Sequence, residues 1–88
     1  MSEWHFTITS EAEEDLQRLD NQSQQRVAQK LAWLVKNFDQ LTPFPLSEPY
    51  KGFFKLRVGD WRVFYEIDND KKTVIIHMID RRDKIYKR

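Results

Sequence analysis

"KLRVGDWRVFYEID", residues Lys55–Asp68, decides the fold. Two runs of alternating apolar and polar residues flank Gly59-Asp60. A two-residue loop with glycine first is the mark of a tight β-hairpin. Alternation then sorts the side chains onto two faces. Phe54, Leu56 and Val58 share one face with Val63, Tyr65 and Ile67, and this apolar surface needs a cover. The opposite face receives Phe53, Lys55 and Arg57 from the first strand and Arg62, Phe64 and Glu66 from the second. Three cations are thereby expected on an uncovered sheet face. Like charges this close repel, so Lys55, Arg57 and Arg62 call for counter-charges or an anionic ligand. Glu66 can offset one of them.

The cover comes from upstream. "EWHFTIT" (Glu3–Thr9) alternates, with Trp4, Phe6 and Ile8 on one side, and reads as a strand. Ser10 and Glu13 have the spacing of a capping box, so a helix is expected to begin there. Ala12, Leu16 and Leu19 form its apolar stripe. After a break near Asp20–Gln22, Val27, Leu31, Leu34, Val35 and Phe38 define one face of a second helix. Trp33 lies off the centre of that stripe and is a candidate either for a partner contact or for packing against the first helix. "QLTPFPLSEPY" (Gln40–Tyr50) holds all three prolines and reads as an ordered loop. Downstream, "DNDKK" makes a second turn into a strand over Thr73–Asp80. The tail "RRDKIYKR" is long enough for an edge strand or half a helical turn. Alternation along the last strand groups His77 with Ile75 and Ile79 and assigns it a structural role. The order β-α-α-β-β-β predicts an α+β domain, an antiparallel sheet with two N-terminal helices on one face.

Length and composition bound the rest. The 88 residues fit a single domain, 1–88, and with 40% hydrophobic residues the chain can form a core. So short a chain buries a modest fraction of its surface and gains from a partner. Cysteine is absent, which excludes disulfides and Cys-based metal or redox sites, and His5 and His77 are far apart in sequence. No apolar run approaches the roughly 18 residues of a transmembrane helix, and the N-terminus does not read as a signal peptide, so a cytoplasmic protein is expected. The net charge of +1 conceals an asymmetry. Residues 1–50 carry 4 Lys/Arg against 8 Asp/Glu, whereas residues 51–88 carry 11 against 6. A basic half of this kind suits phosphates.

"YKGFFKLRVGDWRVFYEID" and "TVIIHMIDRRDKIYKR", taken together, resemble the RelE/ParE toxin superfamily, nearest to its RelE-like branch. The elements that carry the resemblance are Gly52-Phe53, "LRVGDWR" (Leu56–Arg62), "FYEID" (Phe64–Asp68), and Arg82 followed four residues later by Tyr86. The element order, the length and the proline-bearing loop fit as well. The resemblance implies a RelE-like microbial RNase fold and the toxin of a type II toxin–antitoxin system. Such a toxin is a metal-independent endoribonuclease that needs no cofactor. It cleaves mRNA, commonly in the ribosomal A site, until a cognate antitoxin neutralises it. The family's hairpin Arg matches Arg62, its basic position before "LR" matches Lys55, the Arg within "LR" matches Arg57, and the tail pair matches Arg82 and Tyr86. Two positions depart from the pattern: Phe53 stands where some members are basic, and Arg81 where many have His.

RNA cleavage without a metal needs a base for the 2′-OH, cations on the phosphate and an acid for the leaving 5′-oxygen. Guanidinium groups suit the phosphate because they stay charged and bind it bidentately. Arg62 is the first choice, supported by Arg82 or Arg81. A lysine crowded by arginines is disfavoured as a cation, which would let Lys55 move a proton. Tyr86 can stack on a base or carry a proton. Arg57, Lys51, Lys84 and Phe53 are the expected RNA contacts. A cationic patch without a strong base implies an enzyme that relies on the ribosome for orientation. Two other readings share the fold: a ParE-like DNA gyrase inhibitor, and a nucleic-acid-binding module without activity.

Overall fold

The computed structural model describes residues 3–88. The chain runs β1 (His5–Ile8), α1 (Ser10–Gln17), α2 (Asn21–Lys36), β2 (Phe44–Pro45), β3 (Phe54–Val58), β4 (Trp61–Asp68) and β5 (Thr73–Arg81), with 3₁₀ turns at Phe38–Gln40 and Ile85–Lys87. This is the expected α+β order with one strand added. The extra strand, β2, lies within the proline segment and pairs with β3 through Phe44↔Lys55 and Pro45↔Phe54. A proline is tolerated there because β2 is an edge.

The five strands lie in the order β1-β5-β4-β3-β2. Strands β2 to β5 are antiparallel, as expected, but β1 runs parallel to β5. The sheet is therefore mixed. The helical pair and the hairpin separate β1 from β5 in sequence, so no tight turn dictates their relative direction. Both helices cover one face. Ala12, Leu19, Val27, Leu31 and Leu34 meet Leu56, Val58, Val63, Tyr65, Val74, Ile76 and Ile79 in one core. Burying surface of this kind is worth about 25 cal/mol per Å² of apolar area, which makes it the main force holding the layers together.

Local details refine the helix starts and the turn. The first helix is capped by Thr9, whose Oγ1 accepts the Ala12 N–H at 3.2 Å, so the cap falls one residue before the Ser10 of the expected capping box. Phe38 is buried with the second helix's stripe but belongs to the 3₁₀ turn that follows, since α2 ends at Lys36. Trp4 packs against Phe38, the rings tilted by 40° with centroids 4.4 Å apart. In the hairpin, Gly59 takes φ +59, as the first position of a II′-type turn requires. A side chain there would also meet Arg26 Nη2 at 3.1 Å from its Cβ.

One expectation about β5 fails for a clear reason. The register jumps between Phe64↔Met78 and Tyr65↔Ile76, leaving His77 as the extra residue of a β-bulge. Before the bulge, Val74 and Ile76 face the helices; after it, Ile79 does. His77 therefore does not share a face with Ile79, because strict alternation stops at the bulge.

Candidate functional site

Strand pairing sets out three rows on the face away from the helices. Arg57 and Arg62 lie opposite each other, with Asp80 next across the sheet. Lys55, Phe64 and Met78 form the next row. Beyond them, His77 Nε2 bonds Glu66 Oε1 at 3.0 Å and its ring stacks on Phe53 with centroids 4.9 Å apart. Glu66 is therefore engaged by His77 rather than by the three cations.

This face is not open throughout, as the sequence had implied. Phe64 at its centre is fully buried. Tyr50 and Tyr86 meet its ring edge-on at 5.2 and 5.3 Å. The tail that carries Tyr86 is anchored on both sides: Ile85 is completely buried, and Tyr50 Oη donates to the Arg88 carbonyl at 2.9 Å. A second anchor is Asp15 of α1. Its Oδ2 accepts the Ile79 N–H at 3.1 Å and Arg88 Nη1 at 2.8 Å. Asp15 is itself buried, and this charge-assisted bond is the main reason the Arg88 guanidinium is held above its ordinary pKa.

Arg62 is the most constrained of the cations. It is only 8% exposed, and its Nη1 donates to the carbonyls of Gly59 and Trp61, both at 2.9 Å. The hairpin thus clamps one nitrogen of the guanidinium. Among the described residues, Nη2 and Nε have no acceptor and no buried polar side-chain atom lacks a partner, so these donors reach solvent. A guanidinium fixed on one edge and free on the other is preorganised for a phosphate.

Lys55 occupies a different setting from the one its sequence neighbours suggested. Its Nζ lies 4.5 Å from the Phe44 ring centre and 6.0 Å from that of Tyr86. Aromatic rings rather than arginines surround the ammonium, because Arg62 turns back onto its own turn. Phe44 and Tyr86 are 59% and 47% exposed, which provides stacking surface beside the cation. Neither Phe44 nor Tyr50 stood out in the sequence as a site residue. Both come from the proline segment, which is tied to β3 by the Leu46 N–H bonding the Phe53 carbonyl.

The remaining expected residues disperse. Arg81 lies over the Trp61 ring at 5.3 Å and borders a cavity with Asp15, Arg18 and Leu19, so it turns towards α1 and away from Lys55. Arg82 is exposed at the hairpin end, its N–H bonded to the Asp60 carbonyl at 3.0 Å. Lys51 is exposed in the turn before β3, and Lys84 at the start of the last 3₁₀ turn. Phe53 is half-buried against His77. Tyr65 faces the helices, and burial pushes its hydroxyl up to about 12, which leaves Tyr86 as the accessible phenol beside Lys55. Among the described residues, no cluster of three His, Cys, Asp or Glu is placed to hold a metal ion, and no helix is long and apolar enough to cross a membrane.

Comparison with known proteins agrees with this architecture. Residues 6–86 match the family described as ParE toxin of type II toxin–antitoxin system, parDE. The chain is 32% identical over 84 residues to Toxin RelE of Mycobacterium tuberculosis, covering 96% of this chain and 87% of that protein. Toxin RelG of the same organism is 41% identical over 44 residues, about half of each chain. Among solved structures, the RelBE2 toxin–antitoxin complex of M. tuberculosis contains a chain that superposes with a TM-score of 0.80 at 28% identity, covering 90% of this chain and 98% of that one. The isolated E. coli RelE toxin shares the fold, with a TM-score of 0.73 at 14% identity over 96% of this chain and 92% of that one. The hairpin, the roofed sheet face and these matches together place the chain in the RelE/ParE superfamily of type II toxin–antitoxin toxins.

Proposed function

We propose that this toxin is a metal-independent endoribonuclease that cleaves mRNA on the ribosome and is held inactive by a cognate antitoxin. The observation that carries the reading is Arg62, a cation clamped at Nη1 with its other edge free, on the same sheet face as Lys55 and Tyr86. In the reaction, a 2′-oxygen loses its proton and attacks the adjacent phosphorus. The bond from phosphorus to the 5′-oxygen breaks, leaving a 2′,3′-cyclic phosphate and a protonated 5′-hydroxyl. Arg62 stabilises the charge that gathers on the phosphate, with no reorganisation needed at that moment. Lys55 and Tyr86 are the groups placed to move protons, and the exposed rings of Tyr86 and Phe44 hold bases by stacking. The ribosome supplies the orientation that a small cationic face cannot. An antitoxin partner is supported by the likeness to the toxin chain of the M. tuberculosis complex.

The test is Arg62→Ala. Growth arrest and message cleavage on induced expression should both disappear, with a rate loss of about 10²–10³-fold, the usual effect of removing one preorganised donor. A soluble, folded variant that arrests growth like the parent would remove Arg62 from the mechanism. The family description naming ParE favours one other reading, gyrase inhibition. It predicts DNA damage with messages intact, and mapping RNA ends after a short pulse of expression separates the two.

A further inference from the structure

A second basic site lies outside the face described so far. Arg26, Gln29, Lys30 and Trp33 of α2 and Arg57, Val58 and Gly59 of the β3 hairpin line a groove of about 380 Å³. That is within the roughly 300–1,000 Å³ of small-ligand sites. Its walls carry three cations, and none of them is paired with a carboxylate among the described residues. Trp33 is 41% exposed, and Lys30 Nζ stands 3.9 Å from its ring centre. The indole is neither part of the core cluster nor among the half-buried residues packed on it.

We infer that this groove is a single-stranded RNA subsite, in which phosphates sit on Arg26, Lys30 and Arg57 and a base stacks on Trp33. The inference extends the ribonuclease reading and rests on it. Three unpaired cations that converge on one groove repel unless an anion joins them. Arg57 belongs to both places: it lines the groove and lies opposite Arg62 in the sheet. A strand held at the cleavage face can therefore continue over the β3 edge onto α2. Guanidinium groups and an exposed indole are the pairing that sequence-tolerant single-strand binders use for backbone and bases. A strand-adding peptide fits less well. β2 already pairs with Phe54 and Lys55, and the free edge beyond them is three residues long, closed at the turn by the Arg26 guanidinium against Gly59.

The experiment is binding of a labelled single-stranded RNA of about ten nucleotides to the purified full chain, at a series of salt concentrations. The double variant Arg26→Glu/Lys30→Glu should weaken binding at least tenfold at low salt. Its log–log salt slope should be shallower by about 1.4, because each lost phosphate contact on single strands removes about 0.7. Trp33→Ala should weaken binding with the salt slope unchanged, and Trp33→Phe should restore most of the affinity. Parental affinity and slope in the double variant would overturn the subsite. So would intact RNA binding with affinity lost only for the antitoxin, which would make the groove a protein contact. Binding to free RNA and cleavage on programmed ribosomes are read separately, so a chain that binds through this groove and cleaves no message on programmed ribosomes refutes the ribonuclease reading and leaves the subsite standing.

Discussion

A guanidinium offers five N–H donors in a rigid fork, and the Gly59 and Trp61 carbonyls engage only Nη1 of Arg62. An ammonium cannot hold the turn and grip a phosphate through separate edges. Arg62→Lys should therefore lose most cleavage while keeping the charge, and parental rates in that variant would reduce Arg62 to a point charge. Lys55 poses the reverse question. If it transfers a proton, Lys55→Arg preserves the cation beside Phe44 and Tyr86 yet should lose about 10²–10⁴ in rate, since arginine does not deprotonate usefully. Full activity in Lys55→Arg would assign the lysine to phosphate binding alone. Cleavage of a defined message on programmed ribosomes measures both.

At the level of elements, the hairpin turn and the tail hold the site in shape. Gly59→Ala places a side chain at positive φ against Arg26, so the fold should lose about 1–2 kcal/mol in urea titration. The Arg62 clamp should loosen with it, because the Gly59 carbonyl is one of its two acceptors. The tail is fastened through Asp15, a buried carboxylate that satisfies the Ile79 N–H and the Arg88 guanidinium. Asp15→Ala leaves the Ile79 N–H without its acceptor and Arg88 with Asp80 alone at 3.5 Å, and should cost about 1–3 kcal/mol. Arg88→Ala should cost less, because the arginine is partly exposed. Arg88's pKa is raised in the fold, so its share of stability is complete below the ordinary arginine range and fades only as pH rises beyond it. Melting curves between neutral and mildly alkaline pH should accordingly show no loss from this side of the pair.

Across the whole molecule, an acidic first half and a basic second half meet at the sheet. An antitoxin that masks the cationic face brings acidic side chains to it, and such complementarity acts mainly on the association rate. The on-rate for the product of the adjacent reading frame should therefore fall steeply between low and physiological salt, with a smaller change in the off-rate. Calorimetry and stopped-flow on the pair check this. Tight binding that rescues growth places the antitoxin over the site, whereas tight binding without rescue places it elsewhere.

Local pattern determined the hairpin, both helices, the apolar face and the membership of Lys55, Arg57 and Arg62 in one sheet surface. Each of these follows from a two- or 3.6-residue period or from a glycine-bearing turn, and such signals are complete within a few neighbouring residues. The parallel pairing of β1 with β5, the bulge at His77 and the short β2 strand were decided by tertiary structure. They depend on which distant edges meet, and no local period records that. The site divides in the same way. The place of Arg62 and Lys55 on one sheet face was legible because residue type and alternation are sequence properties. The roof of Tyr50 and Tyr86 over Phe64, the Asp15 anchor, the turning of Arg81 towards Trp61 and the convergence of Arg26 with Arg57 all join segments far apart in the chain. Only packing brings those segments together, and packing selects the arrangement that buries Phe64 and Ile85 while giving every buried polar side-chain atom of the described residues a partner.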